Sequence, residues 1–253
     1  MTTPKGLILI PARYASTRFP GKPLATIAGK TMIERVYANC QTTGMECCVV
    51  TDDERIETHV RSFGGQVCKV ADDVPSGTER IQLAYARYFS NKNFDLIINV
   101  QGDEPLLKGD VINRLAAFHR ESSFDVTTLV RKMPKLEGDF YDPNKVKVAF
   151  SEANGRCHYF SRAPIPHVRD DKPEIRENSH WFLHIGVYSY RPEALNKFCQ
   201  AKAGYYENLE KLEQLRGLDI GLSYGAVIMS DFLAGVDTPE DLKKLEGVLS
   251  GKI

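Results

Sequence analysis

Three cationic side chains occupy a single loop near the N-terminus of the chain. Arg13, Arg18 and Lys22 lie within IPARYASTRFPGKPL (residues 10–24), where a glycine and several prolines fix the turns of the backbone. Two opposite unit charges about 4 Å apart attract each other by roughly 4 kcal/mol at an effective dielectric constant near 20. A solvated surface loop would explain any one of these cations, but three together predict that the loop binds phosphate groups.

Two familiar phosphate-binding motifs do not explain this loop. Gly29-Lys30-Thr31 is similar to the end of a P-loop, but Leu24 stands where that motif requires a glycine. The first apolar run, residues 7–10, is not followed by the G-x-G-x-x-G pattern of dinucleotide-binding proteins. We therefore expect a phosphate loop of another kind.

Two aspartates are candidate ligands of a metal ion. Asp103 follows an apolar run in NVQGDEP, where Gly102 allows close approach of the backbone. Mg²⁺ prefers oxygen ligands and usually shares one or two carboxylates with substrate phosphates, so Asp103 is a candidate magnesium ligand. Asp237 in GVDTPEDL is the second candidate, but the same pattern is typical of a helix N-cap followed by acidic residues. From the residues alone, capping is the stronger interpretation of Asp237.

The motif SGTER (residues 76–80) has two interpretations. Ser76 or Thr78 can serve as the N-cap of a helix. Exposed hydroxyl groups and the guanidinium of Arg80 could instead read the edge of a nucleotide base.

The segment YYENLEKLEQLRGL (residues 205–218) predicts a single helix. Glu210, Glu213 and Gln214 would then share one polar face, because residues three and four apart are neighbours on a helix. A solvated face is the usual explanation of such a pattern.

The histidines do not predict a zinc site. His180 and His184 are four residues apart in the strand-like segment HWFLHIGVYSY, which would separate them by roughly 13 Å. We therefore expect no zinc, and no Ser-His-Asp or Cys-His pattern indicates nucleophilic catalysis.

Alternating strands and helices place these motifs in the first half of the chain. The predicted strands are residues 7–10, 47–51, 66–70 and 96–100, and the predicted helices are residues 32–40, 55–63, 79–88 and 111–120. This alternation implies an α/β fold with a parallel sheet, in which ligands bind at the carboxyl ends of the strands. Each predicted strand is followed by one of the polar motifs PARYASTR, TDDER, ADDVPSGTER and QGDEP.

The alternation weakens after about residue 125. Residues 126–130, 146–150 and 182–190 are further predicted strands. We expect residues 127–191 to form extra sheet that contributes dimer contacts within one domain spanning residues 1–253, because no Pro/Gly/Ser-rich linker separates them.

Composition limits the possible partners and compartments. Lys and Arg together number 33, as do Asp and Glu, so a general electrostatic attraction to nucleic acid or to a membrane is not expected. No apolar run approaches the ~18 residues of a membrane span. The six cysteines include no C-x-x-C pattern, which favours reduced thiols and the cytoplasm.

Eight motifs together resemble the CMP-KDO synthetases, the 3-deoxy-manno-octulosonate (KDO) cytidylyltransferases. They are IPARYASTRFPGKPL, TDDERI, SGTER, NVQGDEP, YFSRAPIP, HIGVYSY, LEKLEQLR and GVDTPEDL, and they span residues 10–242. The resemblance implies a Rossmann-like, mostly parallel sheet flanked by helices, of the nucleotide-diphospho-sugar transferase type. It also implies a homodimer that uses Mg²⁺ and transfers CMP from CTP to KDO, which activates KDO for lipopolysaccharide synthesis.

The resemblance also implies roles for individual residues. Arg13, Lys22, Asp103 and Asp237 would be catalytic, with both aspartates as metal ligands. The nucleotide would be bound by Pro11, Ala12, Arg13, Ser16, Arg18, Lys22, Ser76, Gly77, Arg80 and Gln101. The sugar acid would be bound by Gln101, Arg162, His184, Tyr188, Glu213 and Gln214.

Two departures from the family pattern leave the substrate open. Phe19 replaces a usual leucine, and Tyr205-Tyr206 replaces a Pro-Leu pair at the edge of the expected sugar pocket. The alternatives are the 8-amino analogue of KDO, another sugar acid such as sialic acid, a sugar 1-phosphate, or a nucleotide-binding module without catalytic activity. No residue stands out as a general base, which favours activation of the sugar hydroxyl by a metal ion.

Overall fold

The computed structural model describes residues 5–15, 19–230, 235–236 and 238–249. The chain forms two compact units, one of residues 1–116 and 231–253 and the other of residues 117–230. The predicted α/β class is confirmed. Within the described residues, no helix is long and apolar enough to cross a membrane.

The first unit contains a parallel sheet with the strand order β5-β4-β1-β6. In chain order, the elements up to the boundary are β1 (Gly6–Ala12), β2 (Thr26–Ile27), β3 (Lys30–Thr31), α1 (Met32–Gln41), β4 (Glu46–Thr51), α2 (Glu54–Ser62), β5 (Val67–Lys69), α3 (Gly77–Ala84), β6 (Leu96–Asn99) and α4 (Gly109–Glu121). The short strands β2 and β3 form an antiparallel hairpin. Each predicted strand and helix of this half has a counterpart within a few residues.

The first strand lies between two parallel neighbours, and all seven of its residues are buried. Its sequence, GLILIPA, is the near-continuous apolar run that a strand covered on both faces requires. Leu7 pairs with Glu46 of β4, and Gly6 pairs with Leu96 of β6. The carboxyl ends of these three strands therefore lie at one edge of the sheet, where the loops that follow them can meet.

The second unit is built mainly from antiparallel strands. Its elements are β7 (Val126–Pro134), β8 (Lys147–Ser151), β9 (Arg156–Ser161), α5 (Pro173–Asn178), β10 (His180–Tyr190), α6 (Pro192–Gln200), α7 (Tyr205–Glu210), α8 (Gln214–Asp219) and β11 (Tyr224–Met229); α9 (Pro239–Leu249) follows in the first unit. The strand order within this unit is β10-β7-β11-β9-β8, and β8 also pairs with β10. The five strands therefore close into a ring. The sequence did not predict β9, β11, α5 or α6.

The single helix predicted for residues 205–218 is wrong. The structure has α7 and α8 there, separated at Lys211, whose φ of 51° is left-handed. The reason is tertiary, because Arg162 donates from Nε to the carbonyl oxygen of Glu210 at 2.6 Å and so satisfies an acceptor at the end of α7. Glu210 therefore does not share a helical face with Glu213 and Gln214.

A buried lysine organises the backbone around β8. The side chain of Lys147 is completely buried, and its ammonium donates to the carbonyl oxygens of Asp142, Lys145 and Arg162 at 2.8, 2.7 and 2.7 Å. Burial lowers the pKa of Lys147. Three acceptors match the three protons of the ammonium group, which offsets the cost of burying its charge.

Replacing this lysine should cost much more stability than replacing an exposed one. Lys147→Met leaves three carbonyl groups without their donor, so we expect the free energy of unfolding, measured by urea denaturation, to fall by about 3 kcal/mol. Lys132→Met is the matched control, because Lys132 forms a surface ion pair with Glu152 at 3.0 Å and is 44% exposed. Such surface pairs contribute about 1 kcal/mol or less. Equal losses in the two variants would contradict the role given to Lys147.

Candidate active site

Three of the predicted motifs converge on Pro11 at the end of β1. A Cβ atom added to Gly77, the first residue of α3, would lie 3.2 Å from Pro11 Cγ. A Cβ atom added to Gly102, after β6, would lie 3.1 Å from the carbonyl oxygen of Pro11. Contacts this short leave little room for a side chain at either position. The structure thus brings the cationic loop, SGTER and NVQGDEP together in the first unit.

Two cations of the N-terminal loop connect it to the neighbouring loops. Arg13 donates from Nη2 to the carbonyl oxygen of Val74 at 2.9 Å. Lys22 Nζ lies 2.6 Å from Asp103 Oδ2, with the two side chains 15% and 30% exposed. Both predicted catalytic groups, the ammonium and the carboxylate, are therefore in direct contact. Pro11 and Ala12 are buried at the end of β1, whereas Ser16, Arg18 and Asp237 lie outside the described residues.

The motif TDDER holds two of the neighbouring side chains in place. Asp53 accepts from Nε and Nη2 of Arg55 at 3.0 and 2.6 Å, and the Arg55 guanidinium carbon stands 3.2 Å from the centre of the Tyr14 ring. Asp52 pairs with Nη2 of Arg80 at 3.0 Å. The sequence predicted no role for this motif. Its acidic residues directly follow β4, which ends at the same edge of the sheet as β1, and this position in the sequence could have indicated a role at the site.

The motif SGTER combines a helix cap with a buried guanidinium. Ser76 is the N-cap of α3, since its side-chain oxygen accepts from the backbone N–H groups of Thr78 and Glu79. Arg80 is 2% exposed, and its Nη1 donates to the carbonyl oxygen of Val70. Burial lowers the pKa of Arg80. Among the described residues, its buried Nε has no hydrogen-bond partner.

The end of β6 offers oxygen atoms to a cation. Asp103 supplies a carboxylate beside the loop predicted to bind phosphate, and Gln101 donates from Nε2 to Asn99 Oδ1 at 3.2 Å. Within the described ranges, no group of three or more His, Cys, Asp or Glu side chains could hold a metal ion by itself. One carboxylate next to a phosphate site nevertheless fits Mg²⁺, which usually keeps several waters and binds through one or two carboxylates and the substrate.

In the second unit, a β-bulge brings His184 and Tyr188 together. Four residues of regular strand would place them about 13 Å apart, but their ring centres are 5.4 Å apart. The register of β10 against β7 explains this, because it shifts between the pair Ile185–Leu129 and the pair Tyr188–Thr128. A bulge bends the strand and re-aims its side chains.

Both side chains are neutral hydrogen-bonding groups near neutral pH. Burial lowers the pKa of His184 from 6.5 to about 3. Burial also raises the pKa of Tyr188 well above its ordinary value, and the neighbouring Tyr224 and Glu213 raise it further. His184 Nε2 lies 3.1 Å from Thr128 Oγ1. The pair can therefore bind a polar ligand by hydrogen bonds rather than by charge.

The remaining residues of the predicted sugar side differ in their surroundings. Gln214, the first residue of α8, is 5% exposed, and its buried Nε2 has no partner in the described part of the chain. Glu213 is the residue before α8 and is close enough to Tyr188 to raise its pKa. Arg162 directs its guanidinium to backbone carbonyls, including that of Pro143 at 2.9 Å from Nη1. A sugar-binding role for Arg162 stays a prediction.

Comparison with known proteins places this arrangement among nucleotide-transferring enzymes. The family model described as cytidylyltransferase matches residues 7–227. A curated relative from Cytophaga hutchinsonii, named 3-deoxy-manno-octulosonate cytidylyltransferase, is 45% identical over 241 residues, which cover 94% of each chain. A relative of the same name from Parabacteroides distasonis is 40% identical and covers 96% of this chain and 98% of its own.

Two solved structures resemble this structure. A CMP:2-keto-3-deoxy-manno-octonic acid synthetase complexed with CTP has a TM-score of 0.87 and 34% sequence identity, and the match covers 98% of this chain and 100% of the other. A cytidylyltransferase from Leptospira borgpetersenii has a TM-score of 0.64 over 99% of this chain and 89% of its own. Its 16% identity shows a shared fold alone.

The lowered pKa of His184 can be tested without a substrate. Because the folded-state value of about 3 lies below the ordinary 6.5, we expect its imidazole resonances to stay constant between pH 8 and 5, whereas free histidine titrates in the same buffers. The same shift removes stability as the pH falls from 6.5 toward 3, since only the unfolded chain takes up this proton. Proton NMR of the folded protein is the measurement. A midpoint near 6.5 would show that His184 is not held neutral.

Proposed function

The chain belongs to the cytidylyltransferase family, and we propose that it transfers CMP from CTP to KDO, giving CMP-KDO and pyrophosphate. The observation that carries this proposal is the convergence of Arg13, Lys22 and Asp103 around Pro11, where two glycines admit the backbone of neighbouring loops. The two curated relatives, matched over nearly their whole length, share the activity that gives them their name.

Arg13 and Lys22 are the proposed ligands of the triphosphate. The chain has no net charge, so an anion with several negative charges must be held by local cations. Lys22 is partly buried, which strengthens its attraction to phosphate relative to a fully solvated ammonium. Lys22 pairs with Asp103 at 2.6 Å, and we expect the triphosphate to replace Asp103 as the partner of the ammonium group.

Mg²⁺ is the proposed cofactor. Asp103 would hold it, together with Asp237, which the resemblance implies and which lies outside the described residues. When bound, the ion supplies charge neutralisation for the triphosphate and lowers the pKa of a coordinated hydroxyl. Asp103 is 30% exposed, so its carboxylate can exchange Lys22 for an incoming cation.

SGTER is the proposed base-reading segment. Ser76 and Gly77 form the N-terminus of α3 next to Pro11, and Arg80 retains one buried donor, Nε, without a partner in the described chain. Cytosine and uracil share an acceptor at O2, but only cytosine has an acceptor at N3, so a donor facing N3 suits cytosine. Uracil has a donor at N3, and a polar group left unpaired in a buried site costs about 1–3 kcal/mol.

The transfer itself requires alignment more than covalent chemistry by the protein. The anomeric hydroxyl oxygen of KDO forms a bond to the α-phosphorus of CTP, the bond from that phosphorus to the bridging oxygen breaks, and pyrophosphate leaves with its electron pair. The hydroxyl proton is released to solvent. The neutral pair His184 and Tyr188, with Glu213 and Gln214 of the same unit, is proposed to orient the sugar acid by hydrogen bonds.

A homodimer is proposed from the surface of the second unit. A pocket of ≈ 370 Å³ there is lined by Val148, Phe150, Pro166, Trp181 and Phe182, among others. A surface with this much apolar lining suits contact with a second copy of the chain. Sedimentation analysis at micromolar concentration tests this assembly.

The cytoplasm is the proposed compartment. All six cysteines lie in the described part of the chain, and none of them forms a disulfide. Cys48 and Cys68 are close neighbours, with 3.3 Å between their sulfur atoms, yet they interact as thiols. Such an arrangement suits a reducing environment.

Pyrophosphate release tests the proposed function. The purified protein is incubated with Mg²⁺, with CTP or UTP, and with KDO, its 8-amino analogue, sialic acid or a sugar 1-phosphate. We expect turnover with CTP and KDO and a preference for CTP over UTP of about 5- to 150-fold, because the polar group that uracil would leave unpaired costs about 1–3 kcal/mol. Turnover with another sugar but not KDO would reassign the substrate, and CTP binding without turnover on any sugar would indicate a non-catalytic module.

Removing the charge of Asp103 tests the metal proposal. Asp103→Asn keeps the shape of the side chain, so we expect an unchanged melting temperature and a loss of magnesium-dependent turnover of about 10²–10³-fold. Glu46→Gln is the matched control, because Glu46 is 27% exposed and pairs with Lys92 at 2.7 Å, at the opposite end of its strand from the site. Full turnover of Asp103→Asn at every magnesium concentration would remove Asp103 from the metal site.

A further inference from the structure

The bulge of β10 leaves two residues without partners on the neighbouring strand. Ile185 pairs with Leu129 of β7 and Tyr188 pairs with Thr128, so Gly186 and Val187 have no paired residue on β7 between them. Buried backbone groups that leave a ladder need other partners, because an unpaired carbonyl in the interior costs free energy. The irregular backbone between His184 and Tyr188 therefore needs support from a side chain.

The hydroxyl of Thr128 supplies that support. Its side chain is completely buried, and Oγ1 lies 2.8 Å from the carbonyl oxygen of Val187 and 3.1 Å from that of Ile185. The same oxygen lies 3.1 Å from His184 Nε2. One hydroxyl therefore contacts both carbonyl groups of the bulge and the ring that the bulge displaces.

We infer that Thr128 is a positioning residue for the sugar acid, which it serves by holding the β10 bulge and the His184 ring beside Tyr188. The identity of the substrate in this inference rests on the proposed function, whereas the contacts of Thr128 do not.

The contacts also fix which nitrogen of His184 faces the ligand. A hydroxyl has one proton, which Thr128 donates to the bulge carbonyls, so its oxygen accepts from the Nε2–H of His184. In a neutral imidazole the other nitrogen, Nδ1, is then an acceptor. No described residue makes a hydrogen bond to Nδ1. The ligand group that suits it is a sugar hydroxyl, whereas a carboxylate would be repelled.

The adjacent threonine provides a matched control. Thr127 is also completely buried in β7, but its Oγ1 has no hydrogen-bond partner in the described chain. Replacing either threonine by valine keeps the shape of the side chain and removes one hydroxyl. Only the change at Thr128 removes hydrogen bonds. Comparing the two valine variants therefore separates the effect of those bonds on His184 and the bulge from the effect of removing a buried hydroxyl.

The experiment compares Thr128→Val, Thr128→Ser and Thr127→Val. For Thr128→Val we expect the KM for KDO to rise about tenfold while the KM for CTP changes by less than about twofold, since the lost bonds act on the β10 bulge and the His184 ring and not on the residues proposed to bind the nucleotide. Thr128→Ser should restore the KM for KDO to within about threefold of wild type, because it keeps the hydroxyl. Thr127→Val should change neither KM by more than about twofold.

Nitrogen NMR of the imidazole ring provides a reading that is independent of turnover. In the wild type we expect His184 to carry its proton on Nε2, and in Thr128→Val we expect both tautomers. Equal kinetics for Thr128→Val and Thr127→Val, or an unchanged tautomer, would overturn the inference. A parallel rise in the KM for both substrates would also overturn it, as a general loss of structure. If the wild type does not turn over KDO, the proposed function fails, and the tautomer still decides the role of Thr128.

Discussion

Close backbone packing around Pro11 is the constraint on which the proposed nucleotide site depends. Gly77 and Gly102 approach this residue so closely that a Cβ atom would lie 3.2 and 3.1 Å from its atoms. Side chains at those positions would push α3 and the loop after β6 away from the end of β1. Because both positions are glycines, the cationic loop, the N-terminus of α3 and the carboxylate of Asp103 lie close together, in a chain without net charge. The local field, and not the total charge, then governs binding of an anion.

The second unit depends on buried polar side chains that satisfy irregular backbone. Lys147 supplies three donors to carbonyl groups near β8, and Thr128 supplies a hydroxyl to the bulge of β10. Both residues are completely buried, and an unsatisfied polar group at such a position would be costly. The irregular segments persist because these side chains complete their hydrogen bonding. One of those segments carries His184 and Tyr188, so the same bonds that stabilise the fold shape the proposed sugar site.

Prediction from the sequence succeeded where local patterns suffice. Apolar runs located the strands of the first unit, and the ends of parallel strands identified the loops that carry Arg13 and Asp103. It failed where distant residues intervene. No local pattern predicted that the guanidinium of Arg80 is buried beside Asp52, whose carboxylate lies 3.0 Å from Nη2. Arg162 contacts the end of α7, which is why a pattern typical of one helix gives two.

The sequence by itself determined the order of strands and helices in the first unit and the chemistry of the loops after them. Those features follow from residue types and periods within a short window, which the local backbone obeys. Only the tertiary structure decided that His184 lies beside Tyr188, and that the chain breaks at Lys211. Both depend on hydrogen bonds between residues far apart in the chain, 59 residues for Thr128 and Val187 and 48 for Arg162 and Glu210. Such bonds exist only after the strands have paired, so no local pattern encodes them.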